Sequence, residues 1–532
     1  MDTTTLETNV WINKDTSYLF AEEKLPQPPR KTAVCFSGGG TRAMAAAFGQ
    51  LRGLHTLGLM DNVGYISCVS GGSWASTIYT YYRSGTNDDD DLLGPVTNPA
   101  DITYTNLDQM PTSRLGYPAT LSLRDVLLKL MEEGLEADRL WLEGVGRVFF
   151  APFGFHETDK PAYFSLDANT VADIVARNPQ LAGATFYTAR EKRPFLLING
   201  TLLGPDALAP FAQEKIVGFE MTPLYIGVPY GQTIAYESEH EQTQTQPIGG
   251  GYVEPFAFGG SAPTTPCQPS SLPGVCDVKV VGGKRPFSLT DASGISSSAF
   301  AAIADKLHIA NALDPEQPYW PINQGQFQDA TTFTFGDGGN IENYGLIPLL
   351  LRGINRIVVF VNSETKLGLD YDPSQPPGKD VVDAFLPPLF GFPNHLNPNN
   401  TIFTQQAWQA LITALQTQKR QGLPLVTVQT HTVQANAWWG LPGGWDVDIC
   451  WVYNDRVASW EQQLPDHLQE QIKLGNDFLP VGPFRHFPNY LTVDEDLLDL
   501  VKLTPAQVNL LANLSCWNVM QSESLLQPLL AD

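Results

Sequence analysis

The run Thr32-Ala33-Val34-Cys35-Phe36-Ser37-Gly38-Gly39-Gly40-Thr41-Arg42-Ala43-Met44 decides how this chain folds. An apolar stretch rich in β-forming residues stops at three glycines, and an alanine-rich helical stretch follows. A strand that enters a helix through a glycine turn leaves backbone N–H groups unpaired and aimed at one spot, where the helix dipole favours negative charge. Such a turn is suited to an anion or a developing oxyanion. Further along, Tyr65-Ile66-Ser67-Cys68-Val69-Ser70-Gly71-Gly72-Ser73-Trp74 repeats the strand–turn–helix shape with a serine at the bend. The two turns read as one catalytic centre, with donors from the first and the nucleophile from the second.

Ser70 meets the nucleophile-elbow pattern G-x-S-x-G except at its first position, where Cys68 stands for glycine. Glycines flank such a serine because the bend crowds the backbone and the hydroxyl must stand clear of it. Gly38-Gly39-Gly40 with Ala43 also fits a dinucleotide-binding fingerprint. Against that reading, no P-loop lysine follows, and Asp61 comes after a helix end rather than a strand. Thr332-Phe333-Thr334-Phe335-Gly336-Asp337-Gly338-Gly339 is another strand ending in glycines, now bearing an acid. Asp337 has three readings: helix cap, turn residue or catalytic base.

Acyl transfer needs all the parts that these turns offer. A serine needs a base within hydrogen-bond reach, and the tetrahedral intermediate needs preorganised N–H donors worth roughly 3–4 kcal/mol apiece. A carboxylate of ordinary pKa is a feeble base for a hydroxyl, so Asp337 requires a desolvated setting. His395, His431 and His486 all follow Asp337 and would suit a Ser…Asp…His order. None of them sits in a turn that marks it out, and a surface or core position is the default for each.

Hydrophobic residues make up 43% of the 532, and aromatics 11%, ample for a large core. The net charge of -24 argues against nucleic acid as a partner, because phosphate neutralisation needs a basic surface. It argues equally against purely electrostatic docking on anionic lipid, so any membrane contact is expected to be apolar and local. Met1-Asp2-Thr3-Thr4-Thr5-Leu6-Glu7 has neither a basic start nor an apolar core of a signal peptide. No stretch is apolar enough over the ~18 residues needed to span a bilayer. Of the six cysteines, Cys35, Cys68 and Cys450 fall in apolar runs, whereas Cys267 and Cys276 flank a loop and would bridge only in an oxidising compartment. A reduced, cytoplasmic protein is the simplest reading.

Residues 1–30 read as a polar leader lying over the surface, and 31–532 as a single elaborated catalytic domain. Strand–helix alternation predicts an α/β fold with a mostly parallel central sheet flanked by helices. A cap or lid insertion is expected within 84–190 and a decorated loop over 244–285. The acid run Asp88–Asp91 lacks EF-hand spacing and reads as a solvated loop, and no metal or cofactor is implied. Trp141 to Phe155, rich in aromatics and glycine, reads either as an interfacial lid or as cap core. Ser293–Ala302 is a small-residue turn entering a helix.

Ser37-Gly38-Gly39-Gly40-Thr41-Arg42-Ala43-Met44 resembles the S-G-G-G-x-R-A-M loop of the patatin-like and cytosolic phospholipase A2-like lipid acyl hydrolases. Val69-Ser70-Gly71-Gly72-Ser73-Trp74 resembles their S-G-G-S-W elbow, and Gly336-Asp337-Gly338-Gly339 the D-G-G turn of patatins. The resemblance implies a Ser70–Asp337 dyad without a catalytic histidine, oxyanion donors at Gly39 and Gly40, and a lipid-phosphate role for Arg42. It offers Arg352 as a second substrate arginine, displaced by a few residues from the family's spacing. It implies hydrolysis of phospholipid or lysophospholipid esters through an acyl-enzyme, at a peripheral membrane or micelle surface. A transacylase using the same acyl-enzyme, or a storage or scaffold protein on this fold, are the alternatives. With little chain before residue 31, a calcium-binding C2 domain and calcium-driven recruitment are not expected.

Overall fold

The computed structural model describes residues 4–13, 20–84, 89–158, 160–205, 212–237, 243–270, 272–299, 314–494, 499–500 and 502–531. Met1 to Thr3, Asp88 and the end of the Ser293–Ala302 run lie outside them. Among the described residues fourteen strands form one sheet. They are β1 (Thr5–Ile12), β2 (Thr32–Phe36), β3 (Tyr65–Val69), β4 (Phe195–Pro205), β5 (Val217–Met221), β6 (Ile226–Glu237) and β7 (Thr243–Val253). The rest are β8 (Gln268–Pro269), β9 (Val275–Val281), β10 (Glu316–Tyr319), β11 (Thr331–Asp337), β12 (Arg356–Val361), β13 (Val426–Thr432) and β14 (Asp446–Tyr453).

The fold is α/β, but the sheet is mixed rather than mostly parallel. Only the centre, in the order β4-β3-β2-β12-β14, is parallel throughout. Strands β2 and β3 are buried along their whole length, so they read as unbroken apolar runs, the mark of a sheet covered on both faces. Beyond β4 the chain turns to hairpins, and β5, β6, β7, β1, β9 and β8 add on antiparallel. On the other side β13 closes the sheet antiparallel to β14.

Two segments expected to be irregular belong to this antiparallel wing. Within the polar leader, Thr5–Ile12 is a strand with Leu6, Thr8 and Val10 buried, pairing β9 and β7. Its alternation hides behind Glu7 and Asn9, which face outward. The expected loop over 244–285 contains β7 and β9, and Cys267 and Cys276 are bonded as a disulfide where β8 meets β9. That pairing departs from the fully reduced reading; Cys35, Cys68, Cys450 and Cys516 are free and buried.

The helices that position the site are α1 (Gly40–Thr56), α2 (Gly71–Tyr81), α3 (Ala137–Val145), α4 (Leu289–Ser296), α5 (Leu346–Leu351), α6 (Asp466–Leu474) and α7 (Pro505–Gln521). Alanine and methionine fill α1, which is buried from Gly40 through Leu54 between the sheet and α7. A Cβ at Gly49 would collide with the backbone of Ala512, so glycine there lets α7 approach. A capping box of Thr504 and Gln507, with Pro505 in the first turn, starts α7. The aromatic run after Trp141 is core, not an exposed lid: Trp141, Phe149, Phe150, Phe153 and Phe155 are buried, and Phe149 stacks on Trp74 of α2 at 3.7 Å. No described helix is long and apolar enough to cross a membrane.

Candidate active site

Strand β4 brings the serine and the aspartate together. Its residues Phe195–Asn199 pair with β3, and Gly200–Pro205 pair antiparallel with β11, while β5 takes the opposite edge throughout Ile198–Leu202. Strands β3 and β11 therefore share one edge of β4 and run at each other head to head. Val69 faces Asn199 and Asp337 faces Gly200, adjacent positions on that edge. The turn after β3 carries Ser70, so the hydroxyl and the carboxyl meet where the two strands stop.

The turn itself is strained. Ser70 has φ 51° and ψ -125°, a conformation that costs a non-glycine residue of order 1–3 kcal/mol. It is held there from outside: the Ser70 N–H donates to the Ser296 carbonyl at 3.0 Å and to its Oγ at 3.1 Å, and Ser296 Oγ donates to Asn199 O at 2.6 Å. The flanking glycines are needed for close approach, since a Cβ on Gly71 would strike the Gly40 carbonyl and one on Gly72 the Phe36 carbonyl. Cys68 causes no such conflict, because it lies within β3 with its thiol turned to the Leu197 carbonyl, 3.3 Å away.

Asp337 ends β11 and is buried. Its Oδ1 accepts the Gly339 N–H at 2.7 Å, and Thr201 Oγ1 donates to its backbone carbonyl at 2.7 Å. Burial pushes its carboxyl up to about 7, against the pull of the Gly339 amide and of the Ser70 hydroxyl within its reach. Glu342, four backbone N–H groups around it, is also raised to about 7 by burial. It caps α5 through the N–H groups of Leu346 and Ile347.

Gly39 (φ 132°) and Gly40 (φ 56°) form the mouth of α1 in conformations that favour glycine. Neither amide finds an acceptor among the described residues. The turn is fixed by the Gly38 N–H donating to Asn343 O at 3.0 Å, with the Asn343 side chain wedged between Gly38 and Gly339. Arg42 lines the same cavity but is 4% exposed and heavily committed. Its Nε donates to Asn362 O at 2.9 Å, and its Nη1 to Tyr490 O at 2.5 Å, Thr492 Oγ1 at 2.8 Å and Glu364 Oε2 at 3.1 Å. Its Nη2 lies beside Gly39. Burial lowers the guanidinium pKa, and the Glu364 carboxylate opposes that shift.

Gly39, Gly40, Arg42, Ser70 and Asp337 all line one cavity of about 820 Å³. Arg352 does not. It is buried elsewhere, paired with Glu22 at 2.8 Å and Glu220 at 2.7 Å and bonded to the Tyr225 hydroxyl, so the second substrate arginine suggested by resemblance is a core ion cluster. Of the three histidines, His431 is core, accepting from Trp451 Nε1 at 3.0 Å and pushed by burial down to about 4. His395 is exposed, and His486 lines the cavity with Arg485 Nε donating to its Nε2 at 3.0 Å. Asn343 and Thr201 act on backbone groups from segments without a motif, and so does Ser296, which ends α4 inside the small-residue run expected to be a turn entering a helix. Among the described residues no cluster of His, Cys, Asp or Glu is arranged to hold a metal.

No protein-family model matches the chain. Human cytosolic phospholipase A2 zeta is 42% identical over 86 residues, 16% of this chain and 10% of that protein. Mouse cytosolic phospholipase A2 zeta is 52% identical over 64 residues, 12% and 7% of the two chains. Human cytosolic phospholipase A2 beta is 35% identical over 101 residues, 16% and 13%. The chain thus matches only about a tenth of the length of these curated relatives. A solved structure of human GIVD cytosolic phospholipase A2 aligns with 95% of this chain and 64% of its own, at 14% identity and a TM-score of 0.46.

Proposed function

We propose that this chain, a member of the patatin-like, cytosolic phospholipase A2-like family by its sequence likeness, is a serine hydrolase. It would cleave fatty-acyl esters of phospholipids or lysophospholipids. The observation that carries the reading is the Ser70–Asp337 meeting at a strained elbow, with a carboxyl whose pKa of about 7 suits it to take a proton at neutral pH. In this mechanism Asp337 accepts the Ser70 proton as Oγ attacks the ester carbonyl. The tetrahedral oxyanion forms against the Gly39 and Gly40 amides, which stand preorganised at the start of α1. Asp337 then returns the proton to the departing alcohol, leaving an acyl group on Ser70. Water, deprotonated by Asp337, attacks the acyl-enzyme, and Asp337 returns that proton to Ser70 Oγ as the acyl–oxygen bond breaks and the fatty acid leaves. Arg42 is held by Asn362, Tyr490, Thr492 and Glu364 with its Nη2 beside Gly39, where a lipid phosphate would be paired.

The test is covalent labelling with a fluorophosphonate, followed by peptide mass spectrometry and a phospholipid and lysophospholipid panel. Ser70 should be the labelled serine. Ser70→Ala and Asp337→Asn should each lower kcat/KM at least about a thousandfold while circular dichroism stays unchanged. Single alanine variants of His395, His431 and His486 should still be acylated. Label on another serine, or a fully active Asp337→Asn, overturns the dyad.

A further inference from the structure

Scattered exposed apolar side chains need no explanation, but a contiguous apolar tip does. In the loop that follows α6, Phe478 is 99% exposed, Leu479 75% and Val481 55%. The loop is not a loose excursion. Its base is closed by the His486 N–H donating to Gly475 O at 2.8 Å, and the Val481 N–H donates to Leu474 O at 3.2 Å. Phe484 is buried and stacks on Tyr104 with ring centroids 5.9 Å apart. Pro480 and Pro483 fix φ within the tip and so reduce the entropy lost when it is immobilised.

Both ends of this loop are tied to the catalytic cavity. Arg485 and His486, at its C-terminal end, line the cavity that contains Ser70. At its N-terminal end Asn476 accepts a hydrogen bond from Lys366 Nζ at 2.7 Å, and Lys366 directly follows the cavity-lining Glu364 and Thr365. Leu396 and Leu491, each 38% exposed, add apolar surface to the lining of that cavity.

We propose that the Gly475–His486 loop docks the protein on a zwitterionic lipid surface, with Phe478, Leu479 and Val481 inserted among the acyl chains beside the opening of the Ser70 cavity. This rests on the reading of that cavity as a lipid acyl hydrolase site. Charge selects the kind of surface. The loop carries one acid, Asp477, and one base, Arg485, and so has no electrostatic pull of its own. A chain of net charge -24 is repelled by anionic lipid, which leaves apolar insertion into a neutral headgroup layer. Burial of one Phe-sized side chain changes a partition constant by roughly 10- to 100-fold.

The experiment uses the full chain carrying Ser70→Ala, so that binding is read without turnover. With Phe478→Trp added, phosphatidylcholine vesicles should blue-shift the difference emission between this chain and the parent with its eleven tryptophans, and brominated acyl chains should quench that difference. Phe478→Asp with Leu479→Asp should lower vesicle co-sedimentation at least about tenfold. The same pair of changes in the otherwise native chain should leave turnover of a soluble short-chain ester within about twofold. Because the emission readout needs no catalysis, failure of the docking loop and failure of the hydrolase reading are distinguishable. Unshifted emission, undiminished sedimentation of the Asp variant, or burial of the loop by self-association in lipid-free solution would overturn the proposal.

Discussion

Two demands meet at Asp337. As the base we propose it must be ionised, yet burial resists ionisation and lifts its pKa from 3.8 to about 7. Turnover of a soluble ester should therefore climb with pH through about 7 and fade below it, which a kcat/KM profile would read directly. Stability should move the other way. A group whose folded pKa is raised stabilises the folded state fully below its unfolded value, near 3.8, and that contribution is lost as pH rises through about 7. Asp337→Asn keeps an oxygen for the Gly339 N–H and carries no charge. It is expected to stabilise the fold by on the order of 2–4 kcal/mol at pH 8 and by little at pH 4, as calorimetry at the two pH values would report. The residues proposed for this chemistry stand out in the sequence because each comes where a strand ends among glycines. Arg352 was misread for the opposite reason: its partners Glu22 and Glu220 lie 330 and 132 positions away, beyond any local pattern.

Elements show the same divide between local and distant information. The β2–α1–β3–α2 unit was legible because a doubly covered parallel strand is a continuous apolar run, and a buried helix is rich in small residues. The antiparallel wing was not. In Thr243–Val253 the outer half is Thr-Gln-Thr-Gln and the inner half Pro-Ile-Gly-Gly-Gly, so composition reads as loop although the strand pairs over most of its length with β6. Register, not composition, makes it a strand. The α1–α7 contact gives a test at this scale. Gly49 sits where a Cβ would meet the Ala512 backbone, which cannot swing aside as a side chain can. Gly49→Ala should cost about 1–3 kcal/mol in urea unfolding, and the folded fraction should keep its activity, because the clash is on the face of α1 remote from Gly40.

Across the whole molecule, the antiparallel wing and the parallel centre are joined by a buried ion cluster as well as by the sheet. Arg352, at the end of α5, pairs with Glu220 on β5 and with Glu22 in the short Ala21–Lys24 turn between β1 and β2. Phe20 lies against the guanidinium at 4.1 Å, and Tyr225 bonds it. Burial lifts Glu22 despite Arg352, whereas Glu220 and the other anionic neighbours keep Arg352 firmly charged. Such a cluster adds little over a well-packed apolar core, but removal of one partner strands the opposite charge. Arg352→Ala should therefore destabilise the fold by about 3–5 kcal/mol, and Arg352→Met with Glu22→Gln and Glu220→Gln should recover much of the loss. The kinetic consequence separates this role from substrate binding. At a temperature where Arg352→Ala is still folded, KM and kcat for a phospholipid should match the parent, because the guanidinium never reaches the cavity. A KM raised severalfold without loss of secondary structure would return Arg352 to the substrate site, and the triple variant would then fail to restore it.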